Sequence, residues 1–149
     1  MDDVSLHKEI DLIQGCINRM ANNSFMLKGW SISLVAVILA LTDDRFNPLF
    51  LLFCVFVPLL CFWYIDAFFL RTEKMYRRMY EWVLKERKEG NTEYQYDLNP
   101  LRFCNEVESY CKVMFSTTLK VFYGIPTLVV LLVIIYRLKD LLCSCLCGC

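Results

Sequence analysis

Three apolar runs constrain this chain more than any other feature. Phe25 to Leu41 is 17 residues interrupted only by Lys28 near its start and by small serines. Pro48 to Leu70 is 23 residues with one charge, Asp66, and Val121 to Tyr136 is 16 residues, or 24 if Val113 to Lys120 joins it. A bilayer core about 30 Å thick takes roughly 17–25 residues of helix, so each run is a candidate span. The chain is 57% hydrophobic, against about 45–50% apolar residues in soluble domains. The expected fold class is an all-α membrane protein with three transmembrane helices and cytoplasmic helical extensions.

The first run follows mostly polar residues and leads into "LTDDRFNP" without a small-x-small cleavage pattern, so it reads as a span and not as a secretory signal. Net charge is zero, and only its distribution is informative. Lys8, Arg19 and Lys28 lie at or before the first span, and ten basic residues lie between the second and third. Arg45, Arg137 and Lys139 fall on the opposite side, so 13 basic residues face 3. The positive-inside rule then puts the N-terminus and residues 71–120 in the cytoplasm. The layout is a cytoplasmic helix over 1–24, spans at 25–41, 48–70 and 121–136, a cytoplasmic helical region at 71–120, and a Cys-rich tail over 137–149.

Leu6, Ile10, Ile13, Ile17, Met20 and Phe25 recur at three- to five-residue spacing, with Asp11, Gln14, Asn18 and Asn22 between them. This is the period of an amphipathic helix, and no proline interrupts it before Pro48. One helix from about residue 4 to 41, roughly 57 Å long, is predicted. Asp43, Asn47 and Pro48 predict a tight turn. The second span is expected to continue past Leu70, with Tyr76, Tyr80 and Val83 on one face and Arg77, Arg78, Glu81 and Lys85 on the other, until Gly90 stops it. A further helix over Pro100 to Lys120 is expected to turn Phe103, Val107, Tyr110 and Val113 or Met114 inward and lead into the third span. The 71–120 region is too small for an independent soluble core.

Asp66 precedes Arg71 by about 7 Å of helix rise, so it belongs near the cytoplasmic interface, where a charge costs less than the about 2.5–3.5 kcal/mol of the bilayer centre. Arg19 and Lys28 on the first helix are its candidate partners. Three roles stay open: an ion pair that sets helix register, a selectivity or gating charge at the mouth of an oligomeric pore, and proton coupling. Lys28 and Lys120 suit snorkelling, and Trp30, Trp63, Tyr64 and Tyr123 suit an interfacial belt. Ser31 and Ser33 cannot line one helix face.

The segment "RTEKMYRRMYEWVLKERKEG" (71–90) holds seven basic and four acidic residues. Anionic lipid accounts for such a juxtamembrane segment, at about 1 kcal/mol per basic residue. It also fits an anionic ligand, a nucleotide or single-stranded nucleic acid, with Arg71, Lys74, Arg77 and Arg78 on phosphate and Tyr76, Tyr80 and Trp82 as stacking faces. The terminal "CSCLCGC" matches no zinc spacing or prenylation box; a soft metal, cross-linking and a passive tail are its three readings. No cofactor or metal is expected. The single histidine, His7, and the lack of phosphate-cradling, metalloprotease or nucleophile-elbow motifs argue against an enzyme.

Two stretches, "IQGCINRMANNSFMLKGWSISLVAVILAL" and "FWYIDAFFLRTEKMYRRMYEWV", resemble a bacterial membrane-protein family. Its members run an asparagine/serine segment into a Lys-Gly-Trp membrane entry, here Asn18, Arg19, Asn23, Ser24, Lys28, Gly29 and Trp30. They end the second span in Trp-x-x-Asp followed by Glu, Tyr and Arg, here Trp63, Asp66, Glu73, Tyr76 and Arg77. "FSTTLKVFYG" before the third span also fits. The likeness covers most of residues 10–125 and stops before the cysteine tail. The chain thus resembles small transmembrane effectors of phage-defence systems, the SLATT-like two-transmembrane class and the Hailong-type channel controlled by a nucleotidyltransferase product. The resemblance implies a homo-oligomeric channel in the bacterial inner membrane that dissipates the membrane potential, with a single-stranded DNA oligomer or nucleotide as ligand. A non-conducting membrane anchor for a cytoplasmic partner is the alternative.

Overall fold

The computed structural model describes the backbone of residues 3–40 and 48–147, and the side chains of residues 4–40, 53–136 and 139. The predicted turn at Asp43 and Asn47 lies outside the described residues. Helix α1 runs Asp3–Ala40, α2 Pro48–Lys88, a 3-10 turn Pro100–Phe103, α3 Tyr110–Met114 and α4 Thr117–Cys147. The protein is all-helical, and α1, α2 and α4 are each long and apolar enough to cross a membrane. As the periodicity predicts, α1 and α2 run unbroken through 38 and 41 residues.

The end of α2 follows from Gly90. It takes φ +79°, its N–H donates to Arg87 O at 3.2 Å, and the Asn91 N–H donates to Glu86 O at 3.0 Å. These are the two bonds of a Schellman cap, which needs a residue tolerant of the left-handed region at this position. The single helix expected over Pro100–Lys120 is corrected to three pieces. Asn99 accepts from Leu101 N at 3.1 Å and caps only the 3-10 turn. The carbonyls of Ser109 and Ser116 accept the first bonds of α3 and α4, from Val113 N and Lys120 N. Hydroxyl side chains favour such starting positions over helix interiors, which is why the segment restarts twice. Phe103 and Val113 are buried as expected, and Val107, Tyr110 and Met114 are half-buried.

The chain folds as two compact units, Met1–Met26 with Asp66–Val113, and Leu27–Ile65 with Met114–Cys149. In the first, Ile13, Met79, Val83 and Phe103 form the core, with Leu6, Ile17, Tyr76, Tyr80, Trp82 and Leu98 packed against it. Over the last part of α2, Met75, Met79, Val83 and Arg87 are buried, a four-residue recurrence that keeps one face inward. Phe25, expected on the inward stripe of α1, is 75% exposed, while Cys16 and Ser24 are buried. Beyond Ile13, small side chains at Cys16 and Ser24 are the buried ones on this part of α1, and the large ring points outward.

In the second unit Val35, Val55, Leu59, Leu119, Tyr123, Val130 and Ile134 are buried, while Val57, Leu60, Ile125, Leu128, Leu132 and Ile135 are exposed. Apolar residues on both inner and outer faces are what a lipid-facing helix requires. Ser31 is buried and donates to Lys28 O at 2.9 Å, whereas Ser33 is exposed. Tyr123 corrects the belt reading: it is wholly buried, its ring lying parallel to Trp63 at 5.9 Å. Trp63 also donates to Met114 O at 2.8 Å, satisfying a carbonyl that α3 leaves open at its end. Trp30 and Tyr64 are exposed. Helix α4 continues through Pro126, with Thr127 Oγ1 donating to Tyr123 O at 2.6 Å beside the ring. Proline removes the donor that would meet the Phe122 carbonyl, and the Thr127 hydroxyl bonds the carbonyl after that one.

Met79 has no exposed surface. Met79→Ala should cost about 2–5 kcal/mol, as buried Met-to-Ala changes do, measured by urea unfolding of the detergent-solubilised protein. Phe25→Ala, on the outward face, should leave the same transition in place.

Candidate functional site

Two sites in the first unit hold the charged residues of α2 that the sequence singles out. At the first, Asp66 of α2 is 0% exposed and accepts a short hydrogen bond from Ser24 Oγ on α1. Ala67 beside it is also fully buried. Small residues at such a crossing let two backbones approach, and the hydroxyl supplies the polar contact that a buried carboxylate demands. Of the cations named as partners, Arg19 donates instead to Cys16 Sγ at 3.2 Å. Lys28, in the second unit, has its ammonium 5.9 Å from the centre of the Phe122 ring. Ser24, the described partner of Asp66, is the residue that charge matching overlooks.

The second site is a groove of about 480 Å³ lined by Lys74, Arg77 and Arg78 of α2, Glu81, and Glu106, Val107 and Glu108 from the segment before α3. Arg71 anchors that segment, its Nη2 donating to Cys104 O at 3.0 Å and its Nε to Glu108 O at 3.2 Å. Lys74 makes a short ion pair with Glu108, which Lys112 also approaches at 3.3 Å. Arg77 closes on Glu73 through Nε and Nη2 at 2.8 and 2.7 Å, and Arg78 meets Glu81 at 2.8 Å. Each cation of the groove therefore already holds a carboxylate. Exposed pairs of this kind contribute little stability, about 0–1 kcal/mol each, so a competing anion can displace them. The hydrogen bond from Lys74, followed by that from Lys112, holds the Glu108 carboxyl below its ordinary value of 4.5.

The aromatic residues of the predicted ligand set turn the other way. Tyr76, Tyr80 and Trp82 pack on the core, and Tyr76 Oη donates to Leu98 O at 3.3 Å. Burial pushes the Tyr76 phenol above its ordinary value, with Cys16 adding to the rise and Arg19 opposing it. The structure thus brings Arg71, Lys74, Arg77 and Arg78 to one side of α2 and separates them from the rings.

Sequence reasoning did not anticipate a second pair of buried charged residues in the unit. Glu9 of α1 is 2% exposed and Arg87 of α2 is 6% exposed. They pair through two parallel bonds, Nε to Oε2 at 3.0 Å and Nη2 to Oε1 at 2.9 Å. Glu9 Oε1 also accepts from Tyr96 N at 3.1 Å, and Arg87 Nη1 donates to Asn91 O at 2.6 Å and Glu93 O at 3.3 Å. Such bidentate, fully bonded geometry is what makes a buried pair tolerable. A signal was present: Glu9 sits three residues after Leu6 and four before Ile13, and Arg87 four after Val83, each in an apolar register. Nearby, Arg102 lies over the rings of Tyr94 at 4.2 Å and Trp82 at 5.0 Å.

No family model, curated protein or solved structure matches this chain.

Glu9→Gln should cost about 3–5 kcal/mol, the loss typical when one partner of a buried pair is removed, read by chemical unfolding. The Glu108 contact has the opposite exposure and a pH signature. A folded-state carboxyl held below 4.5 contributes stability that is complete above that pH and disappears as pH falls through the depressed value. Acid titration followed by unfolding should show this loss in the native chain and a flatter acid limb in Glu108→Gln.

Proposed function

We propose that the protein is a homo-oligomeric membrane channel, gated from a cytoplasmic helical unit, that dissipates the membrane potential as an effector of bacterial phage defence. In this reading it resides in the inner membrane with its N-terminus in the cytoplasm and its C-terminus outside. The observation that carries the reading is helix continuity. α1 and α2 each join a stretch apolar enough to span lipid to a charged helical segment without a break. An unbroken helix moves as a lever, so a ligand or partner that shifts the charged ends shifts the spans. Three helices per chain enclose no wide aqueous path, which is why copies must assemble around one.

The ligand in this reading is anionic, a nucleotide or single-stranded oligonucleotide made by a neighbouring nucleotidyltransferase, and the groove of Lys74, Arg77 and Arg78 receives it. Its phosphates would displace the carboxylates of Glu73, Glu81 and Glu108, exchanging weak exposed pairs for stronger phosphate contacts. Asp66 is the candidate gating charge, held through Ser24 between the two levers.

Reconstituted protein should pass ions across liposomes, and Asp66→Lys should change that flux at least severalfold. Absence of current at every protein density, or a single copy per particle in lipid, sinks the channel and leaves a non-conducting anchor. Arg77→Ala with Arg78→Ala should weaken oligonucleotide binding at least tenfold and flatten its salt dependence. Binding indifferent to both removes the groove from the reading.

A further inference from the structure

The segment that follows α2 is held in a conformation its residues do not favour. Tyr94 and Tyr96 take φ of +57° and +61°, a region that bulky side chains enter only when other contacts hold them there. The holding contacts can be named. Arg87 Nη1 grips the carbonyls of Asn91 and Glu93, Glu9 takes the Tyr96 N–H, and Tyr96 Oη donates to Ser5 O at 3.2 Å. The Arg102 guanidinium covers Tyr94, yet its Nε and Nη2 are buried without a hydrogen-bond partner, and the Asp97 carboxylate stands 3.7 Å from Nε. The last clamp is thus incomplete, and the strain opposes the other three.

We infer that residues 91–97 form a strain-loaded clasp that closes over the Glu9–Arg87 pair and opens as one unit, releasing the first turns of α1. Four of its hydrogen bonds reach α1 or the pair itself, from Arg87 to Asn91 and Glu93, from Tyr96 N to Glu9 and from Tyr96 Oη to Ser5, so the strap cannot lift while Glu9 and Ser5 keep their bonds to it. Opening takes away the Tyr96 N–H from Glu9 and two carbonyls from Arg87, leaving the pair exposed to water. A segment under local strain with few buried apolar contacts belongs to the low-stability end of a fold, whereas Met79 and Val83 belong to the high end. Within the channel reading the clasp sets when the inner end of α1 is free to move. That consequence rests on the channel; the clasp does not.

Hydrogen–deuterium exchange of the full chain in detergent micelles decides it. Amides over 91–97 and over 8–13 should exchange at a common rate, at least tenfold faster than those over 75–83. Arg87→Lys, which keeps the charge but loses the fork, should quicken the first two stretches a further tenfold and leave 75–83 unchanged. Tyr96→Phe, which loses only the bond to Ser5 O, should quicken both severalfold and leave 75–83 unchanged. If residues 8–13 keep pace with 75–83 instead of with the strap, the clasp does not hold α1. An equal rise in all three stretches for Arg87→Lys, or unchanged strap exchange in Tyr96→Phe, overturns it as well. Should Arg87→Lys not fold, the native chain and Tyr96→Phe decide the matter alone.

Discussion

A peptide group in hydrocarbon has no water to bond, so a chain with three such apolar stretches must satisfy its backbone within each stretch, which only a helix does for a single segment. Much of the local chemistry follows from that constraint. Within α4, Thr127 gives its hydroxyl to the Tyr123 carbonyl. Where α3 stops after five residues, Trp63 donates to the carbonyl of Met114. Where α2 ends, Gly90 folds the chain back so that the carbonyls of Glu86 and Arg87 are met. Polar side chains are spent on backbone groups before they are free for anything else.

The first unit solves a different problem. It has a small core, four buried residues with a half-buried rim, and adds to it a buried ion pair and a strap. A pair of this kind contributes less to stability than to uniqueness, because either charge alone would be intolerable in any other register. Glu9 on α1 and Arg87 on α2 therefore fix how far one helix is displaced along the other within the unit. Ser24 and Asp66 join the same two helices farther along, with a hydroxyl donating to the carboxylate. Both contacts join α1 to α2, so the two helices of the unit are registered at two points.

The cationic face of α2 shows how local sequence and tertiary context divide the work. Four basic residues within eight positions read as an anion site or a lipid-facing patch, and Arg77 and Arg78 are exposed as either requires. Their carboxylate partners come from two places. Glu73 and Glu81 are one helical turn away and visible in the sequence; Glu108 is contributed by a segment some thirty residues on. The aromatic residues interleaved with the basic ones seemed to belong to the same site. Their spacing instead matched the core, and Met79 and Val83 claimed that face.

The three span-length helices, the continuity of α1 and α2, the stop at Gly90 and the apolar character of the spans were all determined by the sequence itself, because each depends on periodicity, on residue type, or on a break within a few positions. Tertiary structure alone decided which polar groups are buried together. Ser24 with Asp66, Glu9 with Arg87 and Tyr96, and Arg71 with the carbonyls of Cys104 and Glu108 join residues 33 to 87 positions apart. No local pattern encodes such a pairing, since its energy exists only once the helices have met and water has been excluded between them.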